Sequence, residues 1–453
     1  MSADSPVGPP GEPPPTDPFA LVRTRGYVGL LVIAAALGVP ISAAAYGFLA
    51  LVGELQTWTY TDLPKALGFR ETPPWWPLPL LAVAGLLVGA TIRYLPGTGG
   101  HKPAEGLSTA GAPKPLELPG IFVAAAATLA LGAVLGPEAP LIALGSGTAV
   151  WLVRLVKPDL PEQVGSVVGA AGSFAAVSTL LGSPLTGAFL LMEASGIGGP
   201  MLGIVLVPGL LAAGVGSLVF VGLDSWTGLG TYSLALPAVP HADTPDVTEF
   251  GWALVIGLAA ALVGTGIRRL ALLAQPRVER HRVTATVLMG LVVAGLAIAF
   301  AEGTGKAATE VLYSGQSALG PLLANSASYS VGTLTLLIVC KGLAYCASLS
   351  AFRGGPIFPA MFLGATGGIA LSHLPGLELT PAFAMGIGAM SVTMLGLPLT
   401  SVLLATLLLG SQGLTVMPLV IVTVVVAYVV SKRLSPPPTG RAQAPAPVGP
   451  ATR

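Results

Sequence analysis

Apolar residues along this chain run in long blocks rather than in alternation. Tyr27–Leu51, Leu78–Ile92, Ile121–Leu135, Trp252–Leu273 and Val283–Phe300 are examples, from roughly ten to a dozen runs of helix-like length. A helix needs about 20 such residues to cross about 30 Å of hydrocarbon. Short alternating segments, the mark of a membrane β-barrel, are missing. The pattern therefore predicts an all-α polytopic membrane protein.

Composition agrees: 53% of the residues are hydrophobic and only 9% are charged, against about 25% charged in soluble proteins. A net charge of +1 gives no electrostatic case for nucleic acid. Cys340 and Cys346 lie in apolar surroundings, without zinc spacing or a disulfide framework. Residues 1–19 and 435–453 are Pro-rich and polar, and are read as disordered tails around a membrane domain at 20–434. The opening residues have neither the basic flank nor the apolar core of a signal peptide. Basic residues gather at Arg23/Arg25, Arg154/Lys157, Arg268 to Arg282 and Lys432/Arg433. The positive-inside rule then places these loops and both termini in the cytoplasm; the membrane expected is the plasma (inner) membrane.

An internal repeat sits on this pattern. Gly136-Pro137-x-x-Pro140, followed by Leu144-Gly145, returns as Gly355-Pro356-x-x-Pro359, followed by Leu363-Gly364. "LGSPLT" (Leu181–Thr186) returns as "LGLPLT" (Leu395–Thr400). The separations are 219 and 214 positions, so the two pairs recur in order and nearly in register. Repeat one is placed at about 70–225 and repeat two at about 283–432. Duplicated membrane units with interrupted helices at matching places are typical of transporters, whose sites lie near the repeat interface.

Both GPxxP elements suit such a site. Proline is tolerated at a helix start, and glycine lets the chain turn sharply beside a ligand. The free N–H groups and the positive end of the helix dipole then attract an anion without any Lys or Arg. That suits conduction, because a full positive charge would hold the ion tightly. The plain alternative is a pair of Pro kinks between packed helices.

One acid breaks the repeat. Glu138 is the only charged residue from Leu118 to Val153, and its counterpart is Ile357. A lone carboxylate in hydrocarbon costs on the order of 3 kcal/mol or more, so it marks a pathway or a partner. At an anion-attracting helix start it would compete with the anion and be released on protonation. Glu138 is therefore the candidate gate and proton acceptor; the alternative is a structural acid paired with a base distant in sequence.

These elements, taken together, resemble the CLC chloride channels and transporters. "GPEAP" resembles that family's Gly-Arg/Lys-Glu-Gly-Pro signature, "GGPIFP" its Gly-x-Phe-x-Pro element, and "GTGGHKP" (Gly97–Pro103) its Gly-Ser-Gly-Ile-Pro loop. "SPLTGAFLLMEA" (Ser183–Ala194) and "LPLTSVLLATLL" resemble its paired Pro-Leu segments, and the order is kept from about Tyr27 to Arg433. The resemblance implies an inverted-repeat fold of tilted, broken helices, a homodimer with one anion pore per subunit, and Glu138 as gating glutamate. It implies anion-binding positions at Thr98, Gly99, Gly100, Gly136, Pro137, Ala139, Pro140, Gly355, Pro356, Ile357, Phe358 and Pro359.

Departures from the pattern matter. Pro137 replaces the family's basic residue and Ala139 its glycine; Thr98 stands for its serine in a loop one residue longer. For the family's last helix, with the tyrosine that closes the inner side, and for the cytoplasmic nucleotide-binding domains of some members, no counterpart is expected here. Where proton-coupled relatives carry a pair of acids, this chain has Glu193-Ala194. Ala194 thus stands at the relay position, and Glu193 is read as a stabiliser of a helix end or loop, with a proton pathway as the alternative.

The expected function is transport of chloride or a similar halide by an uncoupled, channel-like route. A chloride/proton antiporter of the same fold and a secondary transporter for an organic anion are the alternatives. An enzyme is rejected: "LGSG" around Ser146 has no base in reach, and His101, His241, His281 and His373 fall in or near predicted loops without metal spacing. No cofactor is expected. His101 is read as a solvated loop residue, Lys102 and Arg353 as anion-drawing or interfacial, and Lys341 as reaching an interface or a carboxylate.

Overall fold

Glycine and proline cut the apolar runs into sixteen α-helices in the computed structural model, which describes residues 22–107, 111–196, 199–227 and 234–435. The tails expected to be disordered lie outside the described residues, apart from Ser435. The first group comprises α1 (Arg25–Thr57), the short α2 (Leu63–Ala66), α3 (Pro77–Tyr94), α4 (Leu118–Ala130) and α5 (Glu138–Val156). There follow α6 (Glu162–Leu181), α7 (Pro184–Ser195), α8 (Pro200–Thr227), α9 (Val247–Arg280), α10 (Arg282–Thr304) and α11 (Leu319–Ala324). The series ends with α12 (Val331–Ala351), α13 (Ile357–Leu371), α14 (Leu379–Leu395), α15 (Pro398–Leu408) and α16 (Gly413–Leu434).

Nine helices among the described residues are long and apolar enough to span a membrane, fewer than the runs suggested. The reason is breakage. The run Ile121–Leu135 stops being helical after Ala130, because the chain must turn before Gly136. Helix α13 has 15 residues, about 23 Å at 1.5 Å per residue, and falls short of the hydrocarbon thickness. The basic cluster expected in a loop is helical instead: α9 runs through Arg280 and α10 starts at Arg282, with His281 between them.

The repeat is visible in the packing. Helix α5 lies against α6 as α13 lies against α14, and α6 meets α8 as α14 meets α16. Glycines set both close approaches. A Cβ on Gly145 would stand 2.6 Å from the Gly172 carbonyl oxygen, and one on Gly386 would stand 2.8 Å from the Gly364 carbonyl carbon. Gly145 and Gly364 are 219 positions apart, and Gly172 and Gly386 are 214 apart, the separations of the sequence motifs themselves. Small residues at helix crossings let backbones touch in lipid, where no hydrophobic force drives association.

Candidate functional site

The two GPxxP elements meet in the buried interior. Gly136 and Gly355 exchange two backbone hydrogen bonds, N–H to O at 2.8 and 2.5 Å, the single β-bridge among the described residues. Pro137 and Pro356 then cap α5 and α13 with nearly identical backbone angles. Two helix starts are thereby pinned face to face, and their unpaired N–H groups and dipoles converge.

Glu138 fills the space between them. It is 0% exposed, and its Oε1 accepts a hydrogen bond from the Phe358 N–H at 3.0 Å, across the repeat interface. Its Oε2 has no hydrogen-bond partner among the described residues. The fit leaves no room to spare: a Cβ on Gly355 would lie 2.6 Å from the Glu138 carboxyl carbon. The asymmetry seen in the sequence therefore has a geometric meaning. The first repeat supplies a carboxylate, and the second supplies the N–H that holds it. Pro140, Ile357 and Pro359 are buried around this contact, with Tyr345 of α12 donating its hydroxyl to the Pro356 carbonyl at 2.8 Å. Tyr345 gave no signal in the sequence beyond being an isolated polar aromatic in an apolar run.

The Thr98–Gly100 loop stands to one side. Gly97, Gly99 and Gly100 all have positive φ, a backbone open mainly to glycine. The Thr98 hydroxyl donates to the Gly100 carbonyl at 3.0 Å, and the Thr98 carbonyl accepts from Arg353 Nε at 3.0 Å. Arg353 is 2% exposed, so it is no interfacial residue reaching for water. Lys102 is bound to Glu279 at 2.6 Å and to Glu105 at 3.5 Å.

A cavity of about 480 Å³ opens beside this loop. Thr98, Gly100, His101 and Ala139 are among its lining residues, and Ser146, Ser173 and Ser195 add hydroxyls. Ala139 is the only member of either GPxxP element that reaches it; Gly355 to Pro359 are buried elsewhere. His101 lines the cavity rather than standing in solvent. Burial lowers its imidazole pKa below the ordinary value, against the opposing influence of the Gly106 backbone and Glu105.

Glu193 sits at the other repeat motif and explains a local difference. In the first repeat, the Ser183 hydroxyl caps its own helix through the Thr186 N–H at 3.3 Å. The equivalent position before α15 is Leu397, which cannot cap. Glu193 does so from α7: its carboxylate accepts from the Leu399 N–H at 2.9 Å, the Thr400 N–H at 2.7 Å and the Thr400 hydroxyl at 2.6 Å. Lys341 also departs from expectation. It reaches neither an interface nor a carboxylate, but four backbone carbonyls between Glu310 and Tyr313.

The comparisons with known proteins follow this geometry. The family model described as voltage gated chloride channel matches residues 84–432. "Putative ion-transport protein YfeO" of Escherichia fergusonii is 30% identical over 360 residues, covering 78% of this chain and 81% of that one. Its counterpart in Escherichia coli O7:K1 matches over the same shares at 30% identity. Among solved structures, a slow cyanobacterial Cl-/H+ antiporter aligns with TM-score 0.73 at 18% identity, covering 89% of this chain and 94% of that one. A CLC-type fluoride/proton antiporter aligns with TM-score 0.70 at 19% identity, covering 90% and 97%. At these identities the structural likeness speaks for the fold. With a nearly all-helical, duplicated architecture and a family match over most of its length, this integral membrane protein belongs to the voltage gated chloride channel (CLC) family.

Proposed function

We propose that this protein carries chloride or a similar small anion across the plasma (inner) membrane along a path closed by Glu138, without coupling to protons. It works as a homodimer with one pathway per subunit and its termini in the cytoplasm. The observation that carries this reading is the Glu138 carboxylate held by the Phe358 N–H at the start of α13. A carboxylate there occupies the spot where a helix start attracts an anion, so gate and anion exclude one another. Gly136, Gly355 and the prolines that follow shape this spot; the Thr98–Gly100 loop continues the path.

Absence of coupling is supported by the second acid. Glu193 already accepts three hydrogen bonds at the start of α15, and position 194 is alanine. A carboxylate so engaged is a poor shuttle. The second reading, an anion/proton antiporter, is favoured by the hydroxyl-bearing cavity, which is lined both by Ala139, next to the gate, and by Ser195, next to position 194. Water in such a space could conduct protons in place of the missing acid.

Chloride efflux from proteoliposomes, with external chloride and pH recorded together under a clamped potential, tests the reading. Chloride flux without proton movement is the expected result. Protons driven uphill by a chloride gradient would replace it with the antiporter, and no flux of any small anion would reject both.

A further inference from the structure

Helix α9 is too long for the membrane it crosses. Its 34 residues extend about 51 Å at 1.5 Å per residue, against about 30 Å of hydrocarbon. Charge shows where the excess lies. Phe250–Ile267 is free of charge and makes about 27 Å of helix; Arg268 and Arg269 follow at once. The exposed stripe of Leu254, Leu258 and Leu262 is continued, on the same face, by Arg269, Leu273, Arg277 and Arg280. Ala271, Gln275 and Val278, on the opposite face, are buried against the protein. The face turned to lipid thus changes from apolar to basic where the hydrocarbon ends.

These arginines have no acids of their own. Glu249 stands at the other end of α9, and Glu279 is already held by Lys102 at 2.6 Å, Arg282 at 3.8 Å and the Gln275 amide at 3.1 Å. Glu105, nearby, is taken by Lys102 at 3.5 Å and the same amide at 3.0 Å. Among the described residues, no acid lies within 4.0 Å of Arg269, Arg277 or Arg280. Arg269 donates through Nη2 to the Leu434 carbonyl, which brings the end of α16 and its exposed Arg433 beside it. Lys432 turns inward instead, over the Tyr428 ring.

The overhang is not built to stand in water. Leu270, Leu272 and Leu273 are 51%, 39% and 64% exposed among the arginines. Apolar and basic side chains sharing one helix face mark a segment that lies in a membrane interface, and arginine stems reach back toward headgroups. A guanidinium pairs with phosphate through two parallel N–H bonds.

We propose that the exposed face of α9 at Arg269, Arg277 and Arg280, with Arg433 of α16, is a docking surface for anionic phospholipid, whose headgroup phosphates supply the missing counter-charge. The site lies apart from the Glu138 gate and stands independently of the transport reading. It shares one contact with the cavity-lining loop, because Glu279, on the buried side of the same turns, holds Lys102.

Native mass spectrometry of the full-length protein, released from detergent with phosphatidylglycerol or phosphatidylcholine added, tests this. The wild type is expected to retain phosphatidylglycerol in preference to phosphatidylcholine. R269Q/R277Q/R280Q is expected to bind phosphatidylglycerol at least about tenfold more weakly, since each basic residue at an anionic surface contributes about fivefold. R154Q/K157Q, which removes basic residues elsewhere, is expected to stay within about threefold of wild type. Equal binding of the two lipids by the wild type overturns the proposal, as does unchanged binding in the triple variant. An equal loss in R154Q/K157Q overturns it too, by showing net charge rather than a site; so does displacement of the lipid by equimolar glycerol phosphate, which would make this a site for soluble anions. Should the triple variant fail to accumulate, R277Q/R280Q replaces it, with weaker binding expected and unchanged binding overturning the proposal.

Discussion

Replacing Glu138 by glutamine is expected to raise chloride efflux at neutral pH about tenfold and to flatten its dependence on pH; a tenfold change corresponds to about 1.4 kcal/mol. The sign follows from what the carboxylate does. Ionised, it holds the Phe358 N–H and repels an incoming anion from the same helix start. Protonated, it loses both the charge and much of the charge-assisted hydrogen bond, so wild-type efflux is expected to rise as pH falls. Glutamine has the size of the protonated acid at every pH, so the variant's profile should be level and near the wild type's acidic limit. The check is efflux from liposomes over a pH series for both proteins. A variant that keeps the wild-type pH profile would place the titrating group elsewhere.

The second large effect concerns stability. Lys341→Met is expected to destabilise the protein by about 3 kcal/mol or more, because it strips buried carbonyls of their donor. Lys341 is 0% exposed, and its Nζ lies 3.0, 3.1, 2.9 and 3.3 Å from the carbonyls of Glu310, Val311, Leu312 and Tyr313, with the Phe362 ring 4.4 Å away. Three N–H groups thus serve four acceptors. Arginine is expected not to rescue, since its planar fork cannot converge on carbonyls clustered about one point. The consequence reaches the gate. Tyr313 sits at φ 58°, a left-handed conformation unusual for a bulky residue, and its N–H donates to the Gly132 carbonyl at 3.3 Å. Its ring packs edge-on against Tyr60, whose hydroxyl donates to the Leu131 carbonyl at 3.0 Å. Lys341 therefore holds the segment that braces the turn leading into Gly136. A lower melting temperature in detergent, with early loss of monodispersity, is the expected finding; an unchanged melting temperature would deny Lys341 this role.

The helices and the repeat could be read from the chain because both depend on local pattern. Long apolar runs fix where helices form, and glycine and proline fix where they break. The identity of Gly136 and Gly355 as paired elements needed only their spacing. Glu138 was conspicuous because a charge in hydrocarbon always is. What could not be read is whatever depends on a partner far along the chain. Glu193 caps α15 because Leu397 cannot, a relation visible only once α7 and α15 lie together. Lys341 and Arg353 are satisfied largely by backbone carbonyls, and a carbonyl carries no residue-type signature. That the two GPxxP elements close on each other around Glu138 was not legible either, since burial depends on how tightly the two halves pack.

The most direct test of Glu138 as a gate standing in the anion's place is anomalous diffraction from bromide-soaked crystals of the wild type and of E138Q. The expected result is a bromide peak in E138Q within hydrogen-bond distance of the Phe358 N–H, at the position that the carboxylate fills in the wild type. A peak beside Phe358 in the wild type with the carboxylate still in place, or none there in an E138Q protein that conducts bromide, would contradict it.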